Sequence, residues 1–284
     1  MDITASFVKS VLPCRDPMGH KGTFGKVYGL CGAVGYTGAP YLAAEAAVRS
    51  GSGLVFLGVP ESVWPVVAAK CDSAMPAPLP EKRGGVSLAA ESMVREKLSG
   101  MDAFLMGCGL GRNGETEQLV RRLLDVKLPL VLDADGINAL EGHIDVLACR
   151  RDLPTVLTPH AGEFARIGGD NNLPRTEAAQ KFAAEQGVVL VLKGHGTVVA
   201  APDGRIMVNT TGNSGLAKGG SGDILSGMVL SLLGQGMPPF EAACAAVFTH
   251  GLAGDLAAKE KGARGMTPAD VLHMLPYAYK EIEG

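Results

Sequence analysis

The sequence predicts an α/β fold, a mostly parallel central sheet with helices on both faces and a helical C-terminal third. Two observations carry that expectation. Short apolar runs alternate with longer segments of helical spacing through about two thirds of the chain, the pattern of strand–crossover–strand units. Nearly every glycine-rich or polar cluster also begins where one of those apolar runs ends, and that is where an open parallel sheet places its ligand crevice.

The elements follow in order. After a lead over residues 1–18, KVYGLCG from Lys26 reads as a buried strand; the cluster GAVGYTGA and a helix from Tyr41 to Ser50 come next. GLVFLGVP from Gly53 reads as the second strand, and Leu88 to Leu98 as a helix. DAFLMG from Asp102 runs into GCGLGR and a helix from Glu115 to Asp125. PLVLDA from Pro129 ends in DADGIN, and TVLTP from Thr155 ends in HAGE. A helix from Pro174 to Gln186 precedes VVLVLK from Val188, which ends in KGHGT. TVVAAP and RIMVNT then flank Asp203-Gly204, a turn signal between two alternating runs, and read as an antiparallel hairpin on the sheet edge. Asp223 to Leu233, Phe240 to Lys259 and Pro268 to Tyr279 read as helices. No repeat, linker or charge block marks a boundary, so one domain over residues 1–284 is expected.

Composition narrows the function classes. Of 284 residues 39 are glycine, about twice the usual ~7%, yet 46% are hydrophobic and no Gly-X-Y period appears, which excludes collagen and disorder. A net charge of −3 without a basic cluster leaves no electrostatic footprint for nucleic acid or an anionic membrane. Six scattered cysteines form no C-x-x-C, which indicates neither a zinc site nor a disulfide framework and fits a reducing cytoplasm. No signal peptide or apolar span of ~20 residues is visible, so a soluble protein is expected.

Six clusters at strand ends suggest one nucleotide-sized site. Gly107, Gly109 and Gly111 only partly match a dinucleotide fingerprint, and Gly25-Lys26 does not complete a P-loop. Phosphate is better served by Ala217-Lys218-Gly219-Gly220-Ser221-Gly222-Asp223, where small residues let backbone N–H groups converge at a helix start. Asp223 is then either a helix N-cap or a base that takes a proton from a hydroxyl while the N–H groups hold the phosphoryl charge. Lys193 either snorkels from an apolar strand or faces phosphate. His160 and Glu163 stand three apart; His160 hydrogen-bonds substrate or caps a turn, and Glu163 suits an indirect, water-mediated contact to magnesium.

Taken in order, the clusters resemble the ADP- or ATP-dependent NAD(P)H-hydrate dehydratases, a branch of the ribokinase-like fold. The resemblance runs from Gly19 to Tyr279 and rests on HKGTFG from His20, Gly38-Ala39, GCGLG from Gly107, DADGINAL from Asp133, TPHAGE from Thr158, KGHGT from Lys193 and TGNSGLAKGGSGD from Thr211. Related kinases of this fold usually carry Asn where His160 stands and lack the HKGTFG element. Two departures are Cys108, where the family pattern has Pro, and Ser221, where it has Thr.

The resemblance implies repair of hydrated NADH and NADPH: the S epimer's added hydroxyl is phosphorylated by ADP (or ATP), and phosphate and a ring proton then leave, with AMP as the other product. It implies Asp223 as base, with Gly220, Ser221 and Gly222 forming the anion hole. Ala39, Gly109, His160 and Asp223 would line the hydrated dinucleotide. Lys193, Gly194, His195, Gly196, Thr197 and Gly222 would hold the adenine nucleotide, and Glu163 would help to place magnesium. The short lead implies that the epimerase domain of some relatives is missing and that a separate NAD(P)HX epimerase is the functional partner. It further implies a homotetramer. A true kinase of the same fold and a non-catalytic nucleotide sensor remain the alternatives.

Overall fold

The computed structural model describes all 284 residues. Eleven strands form in chain order: β1 (Lys26–Leu30), β2 (Leu54–Pro60), β3 (Met75–Leu79), β4 (Glu81–Lys82), β5 (Gly85–Val86), β6 (Ala103–Met106), β7 (Leu130–Leu132), β8 (Thr155–Leu157), β9 (Val189–Leu192), β10 (Val198–Ala200) and β11 (Ile206–Val208). The helices are α1 (Ala5–Val11), α2 (Gly38–Arg49), α3 (Trp64–Ala68), α4 (Glu91–Leu98), α5 (Gly114–Arg122), α6 (Asp135–Asn138), α7 (Ala161–Arg166), α8 (Arg175–Gln186), α9 (Ser221–Gly234), α10 (Pro239–Lys261) and α11 (Pro268–Glu283).

Nine strands make one sheet in the order β11-β10-β9-β8-β7-β6-β1-β2-β3. Only β10 runs antiparallel to its neighbours, which makes the anticipated edge hairpin with β11. Alternate residues go to opposite faces: Val27, Ala103, Leu105, Val189 and Val191 join one core cluster, and Tyr28, Phe104, Met106, Leu190 and Leu192 the other. The first face is covered by α2, α9, α10 and α11, and the second by α4, α5 and α8. A sheet buried on both sides explains why its strands read as continuous apolar runs. No helix is long and apolar enough to cross a membrane.

Some boundaries differ from the sequence expectation. Helix α2 begins at Gly38 rather than Tyr41. The segment 88–98 opens with a 3₁₀ turn over Leu88–Ala90, and 115–125 closes with another over Leu123–Asp125. The lead contains α1, capped by the Thr4 side chain. Strand β3, with the sequence MPAPL, was not anticipated: two prolines cannot donate to a ladder, and the strand is tolerated because it pairs on one side only, with β2.

The topology sets the position of the site. The carboxyl ends of β1, β6, β7, β8, β9 and β11 share one edge of the sheet, and the amino end of α9 reaches the same edge. The HKGTFG element lies at the other edge. It leads into the amino end of β1, where the Phe24 and Gly25 carbonyls accept from Gly53 N, and Gly25 lies against the Gly234 carbonyl at the far end of α9. Its glycines serve packing there.

Candidate active site

Asp133 follows β7 directly and is almost fully buried. Its Oδ1 accepts from Lys193 Nζ at 2.7 Å and from Thr158 Oγ1 at 2.8 Å, and its Oδ2 accepts from Ser226 Oγ at 2.8 Å. Strands β7, β8 and β9 and helix α9 are thereby tied to one carboxylate. The next residue, Ala134, has φ 47 and ψ −116, a region that favours glycine and costs on the order of 1–3 kcal/mol for other residues. That turn sends Asp133 into the cluster and Asp135 toward Gly111, whose N–H donates to Asp135 Oδ2 at 2.8 Å.

Lys193 ends β9 but does not snorkel outward, because Asp133 holds it. Burial pulls its pKa down, but the carboxylates of Asp133 and Glu163 outweigh that and keep it above its ordinary value. Its ammonium therefore stays charged beside α9. A Cβ at Gly222 would stand 3.2 Å from Lys193 Nζ and 3.7 Å from Asp133 Oδ2, so glycine keeps that approach clear.

The amino end of α9 is an anion site. Its N-cap, Gly220, has φ 104, a conformation that L side chains rarely adopt. The N–H groups of Gly219, Gly220, Gly222 and Asp223 have no backbone acceptor, and such orphan donors at a helix start attract phosphate. Asp223 sits in the first turn without capping the helix. Its carboxylate lies with those of Asp133 and the Cys108 thiol in a cluster whose ligand atoms are within 4.8 Å of one another. Burial first, and then repulsion from Asp133, push its pKa up to about 7, while a Cys108 hydrogen bond and Lys193 pull the other way. A carboxylate poised there can take a proton near neutral pH.

A cavity of about 740 Å³ opens beside this helix start, lined by His160, Lys193 to Thr197, Ser221 and Gly222 among others. This volume is within the range of small-molecule sites. The KGHGT turn forms one wall, closed by Thr197 Oγ1 donating to Gly194 O at 2.9 Å. Another wall is loop 211–218, where Asn213 Nδ2 donates to Asp255 Oδ1 and Gly212 N to Asp255 Oδ2, at 2.9 and 2.8 Å. His250, from α10, completes it; burial and Lys193 depress its pKa to about 4, so the imidazole is neutral.

His160 is the N-cap of α7 in a capping box. Its Nδ1 accepts from Gly162 N and Glu163 N, and Glu163 Oε2 accepts from His160 N at 2.9 Å. With Nδ1 an acceptor, the ring proton belongs on Nε2. Glu163 is buried and 4.0 Å from Lys193 Nζ.

Most of the residues singled out in the sequence thus meet around the start of α9. Ala39 and Gly109 touch each other, a Cβ at Gly109 standing 2.8 Å from that of Ala39, but neither lines the cavity; they form a second surface with Tyr36 beyond Cys108. His160 lies with the cavity residues rather than with that pair. Sequence reasoning passed over Asp133, Asn213, Asp255 and His250 as site residues. For Asp133 the signal was its place at a strand end in DADGIN, together with a lysine ending another strand.

A sequence model of the NAD(P)H-hydrate dehydratase family matches residues 27–277. The chain belongs to the NAD(P)H-hydrate dehydratase family. It is 36% identical to the ADP-dependent (S)-NAD(P)H-hydrate dehydratase of Bacillus subtilis, over 99% of this chain and 98% of that one. It is 43% identical to the bifunctional NAD(P)H-hydrate repair enzyme of Moorella thermoacetica, over 99% of this chain and 54% of that protein. The chain spans about half the length of the bifunctional relatives it matches. Among solved structures, the Bacillus subtilis ADP/ATP-dependent NAD(P)H-hydrate dehydratase co-crystallised with ATP and Mg²⁺ superposes with a TM-score of 0.82 at 32% identity, covering 99% of this chain and 98% of that one. Family membership carries the ribokinase-like fold with it: a mostly parallel sheet with a helical C-terminal third.

Proposed function

We propose that the protein is an ADP-dependent (S)-NAD(P)H-hydrate dehydratase acting as one domain over residues 1–284. The observation that carries this reading is the Asp223 carboxylate, poised near neutral pH beside unsatisfied N–H groups at the start of α9. Asp223 takes the proton of the added hydroxyl as its oxygen attacks the β-phosphorus of ADP. Within the anion hole of Gly220, Ser221 and Gly222, the free N–H groups of Gly220 and Gly222 hold the developing charge together with the Lys193 ammonium, while the Ser221 N–H already donates to Lys218 O. AMP departs. The phosphate ester then breaks at its C–O bond and a ring proton is lost, which restores the dihydronicotinamide; phosphate is a far better leaving group than hydroxide.

The adenine nucleotide occupies the cavity walled by Lys193, Gly194, His195, Gly196, Thr197 and Gly222, and the hydrated dinucleotide is received by Ala39, Gly109, His160 and Asp223, with His160 reaching it from the cavity wall. Magnesium, when bound with the nucleotide, neutralises phosphate oxygens. Glu163 fits an indirect role, because its Oε2 is engaged by the His160 N–H and Oε1 has only the distant His160 Nε2 at 3.4 Å, leaving it able to accept from a metal-bound water. ATP serves in place of ADP, and a homotetramer is the expected assembly. Six free cysteines support a reducing, cytoplasmic setting. An epimerase that interconverts the two hydrate epimers is the functional partner.

The test is to incubate the protein with hydrated NADPH, magnesium and either ADP or ATP, and to follow recovery of reduced-nicotinamide absorbance and appearance of AMP. Recovery with ADP is expected, and Asp223→Asn abolishes it while still binding nucleotide. A phosphorylated product without recovery would overturn the dehydration step, and binding without turnover would overturn catalysis altogether.

A further inference from the structure

Helix α8 opens with a cation. Its cap position is Pro174, which supplies no side-chain cap, and Arg175 is the first helical residue. A positive charge there faces the positive end of the helix dipole, so Arg175 does nothing for its own helix. Its guanidinium is nonetheless held in place: Nη1 donates to His195 O at 2.5 Å and Nη2 to Leu192 O at 2.8 Å. Those carbonyls flank Lys193 and Gly194, so the two-pronged group bridges the end of β9 and the turn that follows it. Gly194 leaves room for the bridge, since a Cβ there would stand 2.9 Å from Arg175 Nη2. The carbonyl between them, Gly194 O, accepts from Thr197 Oγ1 at 2.9 Å.

In a trans peptide the C=O and the next residue's N–H point in opposite directions. With Leu192 O on Arg175, the Lys193 N–H points the other way and donates to Pro159 O at 2.8 Å. With His195 O on Arg175, the Gly196 N–H is likewise turned away from the guanidinium. The N–H groups of His195 and Gly196 have no backbone acceptor, and their turn lines the cavity whereas Arg175 does not. We propose that Arg175 is a positioning residue for nucleotide binding: by holding the Leu192 and His195 carbonyls from outside, it keeps the Gly196 and His195 N–H groups aimed at the adenine nucleotide. The inference rests on the reading that this turn holds that nucleotide.

The measurement is the Kd of ADP with magnesium by calorimetry, together with kcat and the KM values for ADP and hydrated NADPH, in the wild type, Arg175→Ala, Arg175→Lys and Thr197→Val. Thermal midpoints confirm folding. Arg175→Ala is expected to raise the Kd and KM for ADP about threefold to tenfold, the effect of a hydrogen bond, and to leave kcat and the KM for hydrated NADPH within about twofold of wild type. Arg175→Lys keeps the charge without the planar fork and recovers only part of the affinity. Unchanged ADP affinity in Arg175→Ala would overturn the proposal, as would a loss that falls on kcat or on hydrated NADPH instead. Full recovery in Arg175→Lys also overturns it, because charge alone then suffices; this outcome decides the matter even if the alanine variant does not fold. Thr197→Val separates the two readings. If it weakens ADP while Arg175→Ala does not, the role of Arg175 alone fails; if neither weakens the ADP that the wild type binds, the assignment of the turn to the nucleotide fails with it.

Discussion

Asp223 is an aspartate that works against the folded state. Its pKa rises from 3.8 to about 7 on folding, chiefly through burial and Asp133, so between those values the native state holds a proton that the unfolded chain releases. Folding stability therefore falls as pH rises from about 4 through about 7, and the linkage amounts to roughly 4 kcal/mol at higher pH. Asp223→Asn removes that titration. The variant is expected to unfold at a higher temperature than the wild type at pH 8 and to lose the advantage at pH 4, while being catalytically dead. Calorimetry at the two pH values checks this; an Asn variant less stable at pH 8 would show that the carboxylate is held by contacts that offset its burial. The same titration places the acid limb of activity near pH 7, with activity rising as the base ionises. Asp223 and Lys193 could be picked out in the sequence as candidates because a carboxylate closing a run of glycines and a lysine ending an apolar strand each stand out, although a helix cap and a snorkelling side chain would leave the same pattern. Asp133 was not legible as the hub. Its importance arises only when Lys193, Thr158 and Ser226 meet it from three other segments.

Helix α9 joins the site to the core. Its amino end carries Gly220, Ser221, Gly222 and Asp223, and the rest is buried nearly all round, between the sheet on one side and α2 and α10 on the other. Gly227 lets α2 come close enough to fix that placement: a Cβ there would overlap the Ala43 carbonyl. Gly227→Ala forces the helices apart. We expect a loss of about 1–3 kcal/mol in denaturant unfolding, typical of overpacked cores, and a lower kcat because Asp223 shifts with its helix. Unchanged stability would mean that the crossing relaxes freely. Periodicity revealed most of the elements, since the alternation of buried strands and helices is strong. It missed β3, whose two prolines erase the strand signal, and the short α6 and α7, which owe their existence to the Ala134 turn and the His160 cap rather than to any hydrophobic face. The six clusters at the carboxyl edge were legible because the topology of a parallel sheet gathers them without further information.

At the scale of the whole molecule, function and stability occupy opposite edges of the sheet. The carboxyl edge holds strain at Ala134, an underpartnered Asp223 and an open cavity. The amino edge holds Arg150, which has no measurable exposure and no carboxylate partner; burial pulls its pKa down to about 10. Its guanidinium donates to Thr155 Oγ1 at 2.8 Å and to the carbonyls of Leu124, Val126, Leu128 and Pro154 at 2.9, 2.7, 2.7 and 3.3 Å. Those carbonyls lie in the segments entering β7 and β8, so one side chain ties together two strand entrances. Arg150→Leu takes the donor from the buried Leu124 carbonyl and Thr155 hydroxyl and from three part-buried carbonyl contacts at once, and a cost of about 3 kcal/mol is expected. The cleft is at the other ends of the same strands, so bound ADP and magnesium should raise the unfolding temperature of this variant by nearly the increment seen in the wild type, as expected for a ligand that binds only the native state. Thermal unfolding of both proteins, with and without nucleotide, measures the two quantities together. A lower midpoint with an intact ligand increment is the outcome that the separation of edges requires; loss of the increment in Arg150→Leu would show that order at the strand entrances is transmitted to the nucleotide cavity.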